Sequence, residues 1–105
     1  MRPRIEAVEG LPHISREVLA RYAADAALEV DGVEGLLGER VRRHDGVRVS
    51  ESNGSVSLEI HLRVSRGTSI PALGRKVQEH VAGYLERMTG SAPAVVDVII
   101  REIGH

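Results

Sequence analysis

The 105-residue sequence lacks cysteine, phenylalanine and tryptophan, and its aromatic residues are limited to Tyr22 and Tyr84. The absence of cysteine excludes a disulfide framework and a zinc site built on thiolates. The near absence of aromatic side chains removes the stacking platforms with which proteins hold single-stranded nucleic acid. The hydrophobic core must therefore be built from valine, leucine, isoleucine and alanine.

The sequence also lacks a long hydrophobic run and an excess of charge of either sign. No window approaches the roughly 18–20 apolar residues that span a bilayer, and the first four residues, Met-Arg-Pro-Arg, do not begin a signal peptide. A formal net charge of −1 disfavours a protein that binds nucleic-acid phosphates. We therefore expect a single cytoplasmic domain that does not insert directly into a membrane.

No arrangement of polar residues predicts catalysis, a metal site or a cofactor site. The histidines do not follow a metal-binding spacing, and the serines are explained as helix caps, turn residues and strand surface. Neither a nucleophile elbow nor a phosphate-binding glycine loop is present. We predict no catalytic, metal or cofactor-binding residue and no enzymatic activity. The histidines are His13, His44, His61, His80 and His105.

The most regular stretch is Ser55–Ser65, where apolar and polar residues alternate as in a strand with one buried face. Asn53 and Gly54 precede it, and both tolerate the positive φ of a tight hairpin turn. The turn folds Val47–Ser52 back onto this strand and brings apolar residues together on one face. The predicted pairs are Val47 with Ile60 and Val49 with Leu58.

Two amphipathic helices flank this hairpin. The first helix begins at Ser15, whose hydroxyl can cap the free amides, while Ile14 and Leu19 occupy the positions of a hydrophobic staple. Gly32 is expected to end it. The second helix has Pro71 in its first turn and ends at Gly90. Its apolar stripe comprises Leu73, Val77, Val81, Tyr84, Leu85 and Met88.

The remaining segments complete a single α+β domain over residues 14–103, preceded by a tail over residues 1–13. Gly32–Gly38 is expected to be a loop or a short edge strand. We predict the order α-β-β-α-β, with about three strands in a mixed sheet and both helices on one face. The second helix links the second and third strands, which should run parallel. The strand order stays open, and one arrangement places the last strand beside the first.

The last strand, Ala94–Ile103, carries apolar residues on both faces. Such a strand is expected to be central or to be covered on both sides. If both helices cover one side, another subunit or the N-terminal tail must shield the other. The candidate interaction surface is therefore the outward row of this strand, formed by Val95, Asp97, Ile99, Arg101 and Ile103.

From Ile14 to Ile103 the chain resembles the bacterial alkaline shock protein family, also called envelope stress response proteins. The resemblance begins with Ile14-Ser15-x-Glu17-Val18 and Glu29-Val30-x-Gly32-Val33 around the first helix. It continues through Gly46-Val47-x-Val49 and the alternating strand to Ile70-Pro71. It ends with Val77-Gln78-x-x-Val81 and Met88-Thr89-Gly90 before a Val-x-Val strand.

The resemblance implies a small cytoplasmic protein without known catalysis. Some members of the family gather at the inner face of the membrane through a small membrane-anchored partner and influence cell-envelope homeostasis. By resemblance, we expect a homo-oligomer that docks on such a partner as an envelope stress adaptor. The alternative is a small RNA-binding module that uses the Arg40–Arg48 loop and the polar face of the hairpin.

Overall fold

The computed structural model describes residues 15–36 and 46–103, and these ranges hold two helices and four strands. The elements confirm the predicted α+β class and add one strand to the predicted order. The added strand is Val33–Leu36, which lies in the segment Gly32–Gly38. Of the loop and the short edge strand expected there, the strand is the one observed. In chain order the elements are α1 (Arg16–Leu28), β1 (Val33–Leu36), β2 (Val47–Ser52), β3 (Ser55–Val64), α2 (Ile70–Thr89) and β4 (Val95–Ile103).

The long strand β3 lies at the centre of the sheet. Strand β4 runs parallel to β3 from Ser57 to Val64, whereas β2 and β1 pair antiparallel with β3. Since β4 occupies one edge of β3 along this length, β2 and β1 share the other edge, one after the other. The sheet is therefore mixed and three strands wide. The predicted parallel pair is confirmed, but the arrangement with the last strand beside the first is wrong.

The β2–β3 hairpin has the predicted register, with Val47 paired to Ile60 and Val49 to Leu58. Its two turn residues, Asn53 and Gly54, have φ values of 53° and 79°. A two-residue turn with positive φ at both positions follows the twist of the strands it joins. The turn and the alternating apolar residues therefore specify the same pairing.

Both helices cover the face of the sheet that carries the apolar residues of β3. Every second residue of β3, from Val56 to Val64, is buried against them. Helix α1 contributes mostly alanine to this core, and small side chains allow a helix to approach its neighbours closely. From α2, the buried residues are Leu73, Val77, Val81 and Leu85. The opposite face of the sheet, here called the open face, has neither helix against it.

The ends of the helices follow the predicted chemistry with two exceptions. The Ser15 hydroxyl accepts a hydrogen bond from the Val18 amide at 3.1 Å, and Gly90 ends α2 with a φ of 87°. Helix α1, however, ends at Leu28, before Gly32. Met88 belongs to the predicted stripe of α2 but is 48% exposed, because the last turn extends past the core. Ile14 and the predicted tail lie outside the described residues.

Gly32 has the left-handed backbone predicted for it, with a φ of 102°. A Cβ atom at this position would lie 3.3 Å from Leu73 Cδ1 and 3.4 Å from Thr68 Cγ2. The Gly32 carbonyl also accepts a hydrogen bond from the Ser65 amide at 2.9 Å. Gly32 therefore brings the chain after α1 close to both α2 and the end of β3.

Replacing Gly32 by alanine should lower the free energy of unfolding by about 1–3 kcal/mol, since alanine is strained at positive φ. The matched control is Gly74→Ala, because Gly74 lies within α2 and a Cβ there would meet no atom within 4 Å. That control should raise the free energy of unfolding by about 0.5–1 kcal/mol. Urea denaturation at one protein concentration measures both. A Gly32→Ala variant as stable as the unmodified chain would contradict this account of the turn.

Candidate association surface on the last strand

Strand β4 forms one edge of the sheet. In residues 15–36 and 46–103 it pairs with β3 alone, and the register runs from Ser57 with Val95 to Val64 with Ile103. Of the two expectations for a strand apolar on both faces, the central position is therefore wrong for the described part of the chain, and cover on both sides stays a prediction. The physical reason lies in the two faces of β4, which meet different surroundings.

One row of β4 residues completes the core. Val96, Val98 and Ile100 are partly buried and pack against the buried cluster beneath the helices. They stand beside Leu58, Ile60 and Leu62 of β3, all of which are buried. The apolar character of this row therefore needs no second subunit to explain it.

The other row of β4 lies on the open face. Val95, Asp97 and Ile99 stand beside Ser57, Glu59 and His61 of β3. Val95 is 45% exposed, Asp97 is exposed and Ile99 is half-buried. Apolar side chains thus alternate with a carboxylate on a face that the described residues leave accessible.

A β-bulge divides the predicted interaction surface. Leu62 pairs with Ile100, but Arg63 pairs with Glu102, so Arg101 is an extra residue in β4. An extra residue reverses the alternation that follows it. Ile103 consequently pairs with Val64 of the buried row, although Ile103 itself is 54% exposed at the strand end. The structure brings Val95, Asp97, Ile99 and Arg101 together on the open face and places Ile103 in the other row.

Arg101 reaches back over the open face to β3. Its Nη1 atom lies 3.4 Å from Nδ1 of His61, and His61 Nε2 lies 3.5 Å from Glu59 Oε1. Because an arginine can only donate, this contact requires His61 to accept at Nδ1 and to carry its proton at Nε2. Arg101 and Glu59 thus lie on either side of the His61 ring, and His61 Nε2 itself has no hydrogen-bond partner among the described residues.

Other charged residues of the open face form ion pairs across the strands. Arg48 of β2 lies 3.9 Å from Glu59, and Arg63 lies 3.8 Å from Glu34 of β1. In contrast, the side chain of Asp97 makes no hydrogen bond or ion pair with any described residue, while its backbone pairs with β3. Among residues 15–36 and 46–103, Asp97 is thus a carboxylate on this face that has no partner.

Gln78 makes a contact that no sequence pattern predicts. It lies outside the apolar stripe predicted for α2, and its side-chain amide donates a hydrogen bond of 2.9 Å to the Val96 carbonyl. The helical period marks Gln78 as exposed but cannot show that the edge of β4 lies within reach. This hydrogen bond fixes α2 against the edge of the sheet.

The described histidines lie on separate parts of the molecule. His80 of α2 contacts Glu29, which follows α1, at 2.7 Å, whereas His61 lies on the sheet. Val30, Lys76 and Glu79 join His80 and Glu29 in a surface cleft of about 390 Å³. Within residues 15–36 and 46–103, no three histidine or acidic side chains are grouped so as to hold a metal ion.

The surface predicted for RNA binding is only partly described. Residues 40–45 of the Arg40–Arg48 loop lie outside the described residues, and Arg48 points from β2 with its side chain 78% exposed. Glu59 lies beside Arg48, with 3.9 Å between Arg48 Nε and Glu59 Oε1. A carboxylate beside the cation weakens attraction for a phosphate, so this hairpin offers no uniformly basic surface.

The fold and this surface together define a small α+β domain with an accessible sheet edge, a class suited to association with other chains. The chain belongs to the alkaline shock protein 23 family, whose model matches residues 4–105 and is described as having a cell envelope-related function. Neither helix in the described ranges is long and apolar enough to cross a membrane.

Individual proteins are similar to the chain over different parts of their length. The chain is 31% identical to the uncharacterized protein YqhY of Bacillus subtilis over 90 residues, which cover 76% of this chain and 67% of YqhY. It is also 30% identical over 82 residues to a glucose-6-phosphate isomerase of Caulobacter vibrioides, covering 78% of this chain but only 15% of that enzyme. Among solved structures, a MamM CTD variant is similar in fold, with a TM-score of 0.66 and 16% identity over 87% of this chain and 100% of that one.

Proposed function

We propose that this protein is a non-enzymatic adaptor of the cell envelope that self-associates and docks on a membrane-anchored protein. The family's cell envelope-related function supports the general role. The observation that carries the proposal is the outward row of β4, where Val95 and Ile99 flank an unpaired Asp97 at an accessible sheet edge. Exposed apolar groups beside selected charges are typical of surfaces that bind other proteins.

Catalysis finds less support than association in the same residues. On the open face, Arg48 pairs with Glu59 and Arg63 pairs with Glu34, and ion pairs of this kind across strands stabilise a sheet surface. The isomerase relative matches only over a segment equal to 15% of its length. So short a match gives no reason to assign the activity of that enzyme to this chain.

The proposal predicts that the full chain is found at the membrane of its host without being inserted in it. A fluorescent fusion should follow the cell outline. An alkaline wash of isolated membranes should release the protein, because in this proposal it is held there by a protein partner. Val95→Arg should reduce the membrane fraction several-fold, since it places a charge in the outward row of β4.

The matched control is Met88→Arg, because Met88 is 48% exposed and Val95 is 45% exposed, on different elements. This control should leave the membrane fraction unchanged. A uniform distribution of the unmodified fusion through the cytosol during envelope stress would contradict the docking proposal. Equal losses for both variants would show that β4 is not the docking surface.

A further inference from the structure

We propose that β4 pairs antiparallel with β4 of a second copy, around a two-fold axis at Ile99, so that two sheets become one. The inference rests on the self-association in the proposed function and specifies its geometry. Asp97 of each copy then lies opposite Arg101 of the other copy. The second copy is the occupant that the charges and the backbone of β4 favour.

The backbone of β4 has hydrogen-bonding groups turned away from β3. The Val96 carbonyl receives the Gln78 side chain, so it faces the outer edge of the sheet. Because successive residues of a strand turn their backbone groups to opposite edges, Val98 and Ile100 face the outer edge as well. The backbone groups of Val98 and Ile100 have no strand beside them in the described part of the chain, and such an edge is a template for another strand.

The charges on β4 select one antiparallel register. With the axis at Ile99, each residue lies opposite the residue of the second copy that is equally far from Ile99 on its other side. Asp97 of each copy therefore lies opposite Arg101 of the other copy. With the axis at Val98, Asp97 would meet Ile99, and with the axis at Asp97 two carboxylates would meet. Opposite charges across a strand pair stabilise it, and like charges destabilise it. The axis at Ile99 is therefore the register with matched charges.

The same register suits the other residues of the strand. Ile99 meets its own copy on the open face, while Val98 meets Ile100 in the row that packs against the core. Val96, whose carbonyl is already bound by Gln78, lies near the end of the pairing and not at its centre. A two-fold pairing uses the same residues from both copies, so it closes as a dimer and leaves no further edge of β4 for a third copy.

Charges and bulges on an edge strand usually prevent pairing with arbitrary strands. In β4 they are arranged so that an identical copy satisfies them. Asp97 has no partner among the described residues, and Arg101 makes one contact, with His61 at 3.4 Å, which leaves further donors on its guanidinium. The same residues therefore disfavour pairing with other strands at this edge and favour a second copy, which is how specificity is commonly achieved.

Two charge reversals test the register, each measured on the full chain by size-exclusion chromatography with light scattering over a range of concentrations. Residue 97 of each copy lies opposite residue 101 of the other, so Asp97→Arg places an arginine opposite an arginine at both positions. Arg101→Asp places an aspartate opposite an aspartate at both positions. Each variant alone should raise the dimer Kd by roughly 10- to 100-fold. An equimolar mixture of the two should form a dimer again, as should the chain that carries both substitutions.

The control is Arg48→Asp, the same charge change on the open face of β2, away from the proposed pairing; it should leave the Kd unchanged. An unmodified dimer that neither reversal weakens would overturn this geometry and leave the proposed function intact. Reversals that weaken the dimer without rescue in the mixture would overturn the register. A chain that stays monomeric at every concentration would overturn the inference together with the self-association in the proposed function.

Discussion

Replacing Leu62 by alanine should lower the free energy of unfolding by about 2–5 kcal/mol, the usual cost of deleting a buried leucine side chain. Leu62 is fully buried and lies in β3 between Leu36 of β1 and Ile100 of β4. The residue thus joins three strands beneath the helices. Few alternative side chains are available to fill the cavity, because this core lacks phenylalanine and tryptophan.

Urea denaturation at a fixed protein concentration measures this loss and keeps the effect of association constant. The matched control is Met88→Ala, which also truncates a large apolar side chain, though one that is 48% exposed. Its effect should stay within about 0.5 kcal/mol. If Leu62→Ala cost no more than the control, Leu62 would not be part of a packed core.

The hairpin could be predicted to the exact residue pairs because two independent signals agree there. The Asn53-Gly54 turn fixes where the chain reverses, and the apolar residues of β3 fix which face is buried. A shift of one residue would expose every apolar side chain of β3, so the sequence leaves no second register open. The caps at Ser15 and Gly90 were predictable for the same reason, since each depends on one residue type in one place.

The position of β4 could not be predicted in the same way. Its apolar residues on both faces indicated a strand that is central or covered on both sides, and the described structure has it at an edge. A bulge carries no sequence signal of its own, so the placement of Arg101 and Ile103 depends on pairing with β3. The Gln78 contact was equally hidden, because it joins residues 18 positions apart on different elements.

The fold therefore follows from local patterns, and the candidate surface follows from how distant segments meet. Sequence alone named Val95, Asp97, Ile99 and Arg101 as candidates, and the structure places them together on the open face. Their partner stays a prediction. What the structure adds is that Asp97 and Arg101, two residues on either side of Ile99, lie on a strand that pairs with β3 alone in the described ranges.

Ile99→Cys provides the second prediction, a disulfide-linked dimer. The chain contains no cysteine, so a single substitution introduces a single thiol. In the proposed pairing, residue 99 of one copy lies opposite residue 99 of the other, between two hydrogen-bonded pairs. The two Cα atoms of such a non-hydrogen-bonded pair lie about 4.5 Å apart. That separation is within the range a disulfide accepts. Mild oxidation should therefore convert most of this variant to a covalent dimer.

Val95→Cys is the matched control, since Val95 lies on the same row of the same strand. In the proposed pairing the two Val95 positions are eight residues apart along the strands, or about 26 Å at 3.3 Å per residue, which a disulfide cannot span.

The most direct test of association through β4 is therefore non-reducing electrophoresis of these two full-length variants after mild oxidation. Pairing of β4 around Ile99 predicts a dimer band for Ile99→Cys and a monomer band for Val95→Cys. Equal cross-linking of both variants, or none in a chain that light scattering shows to be dimeric, would contradict it.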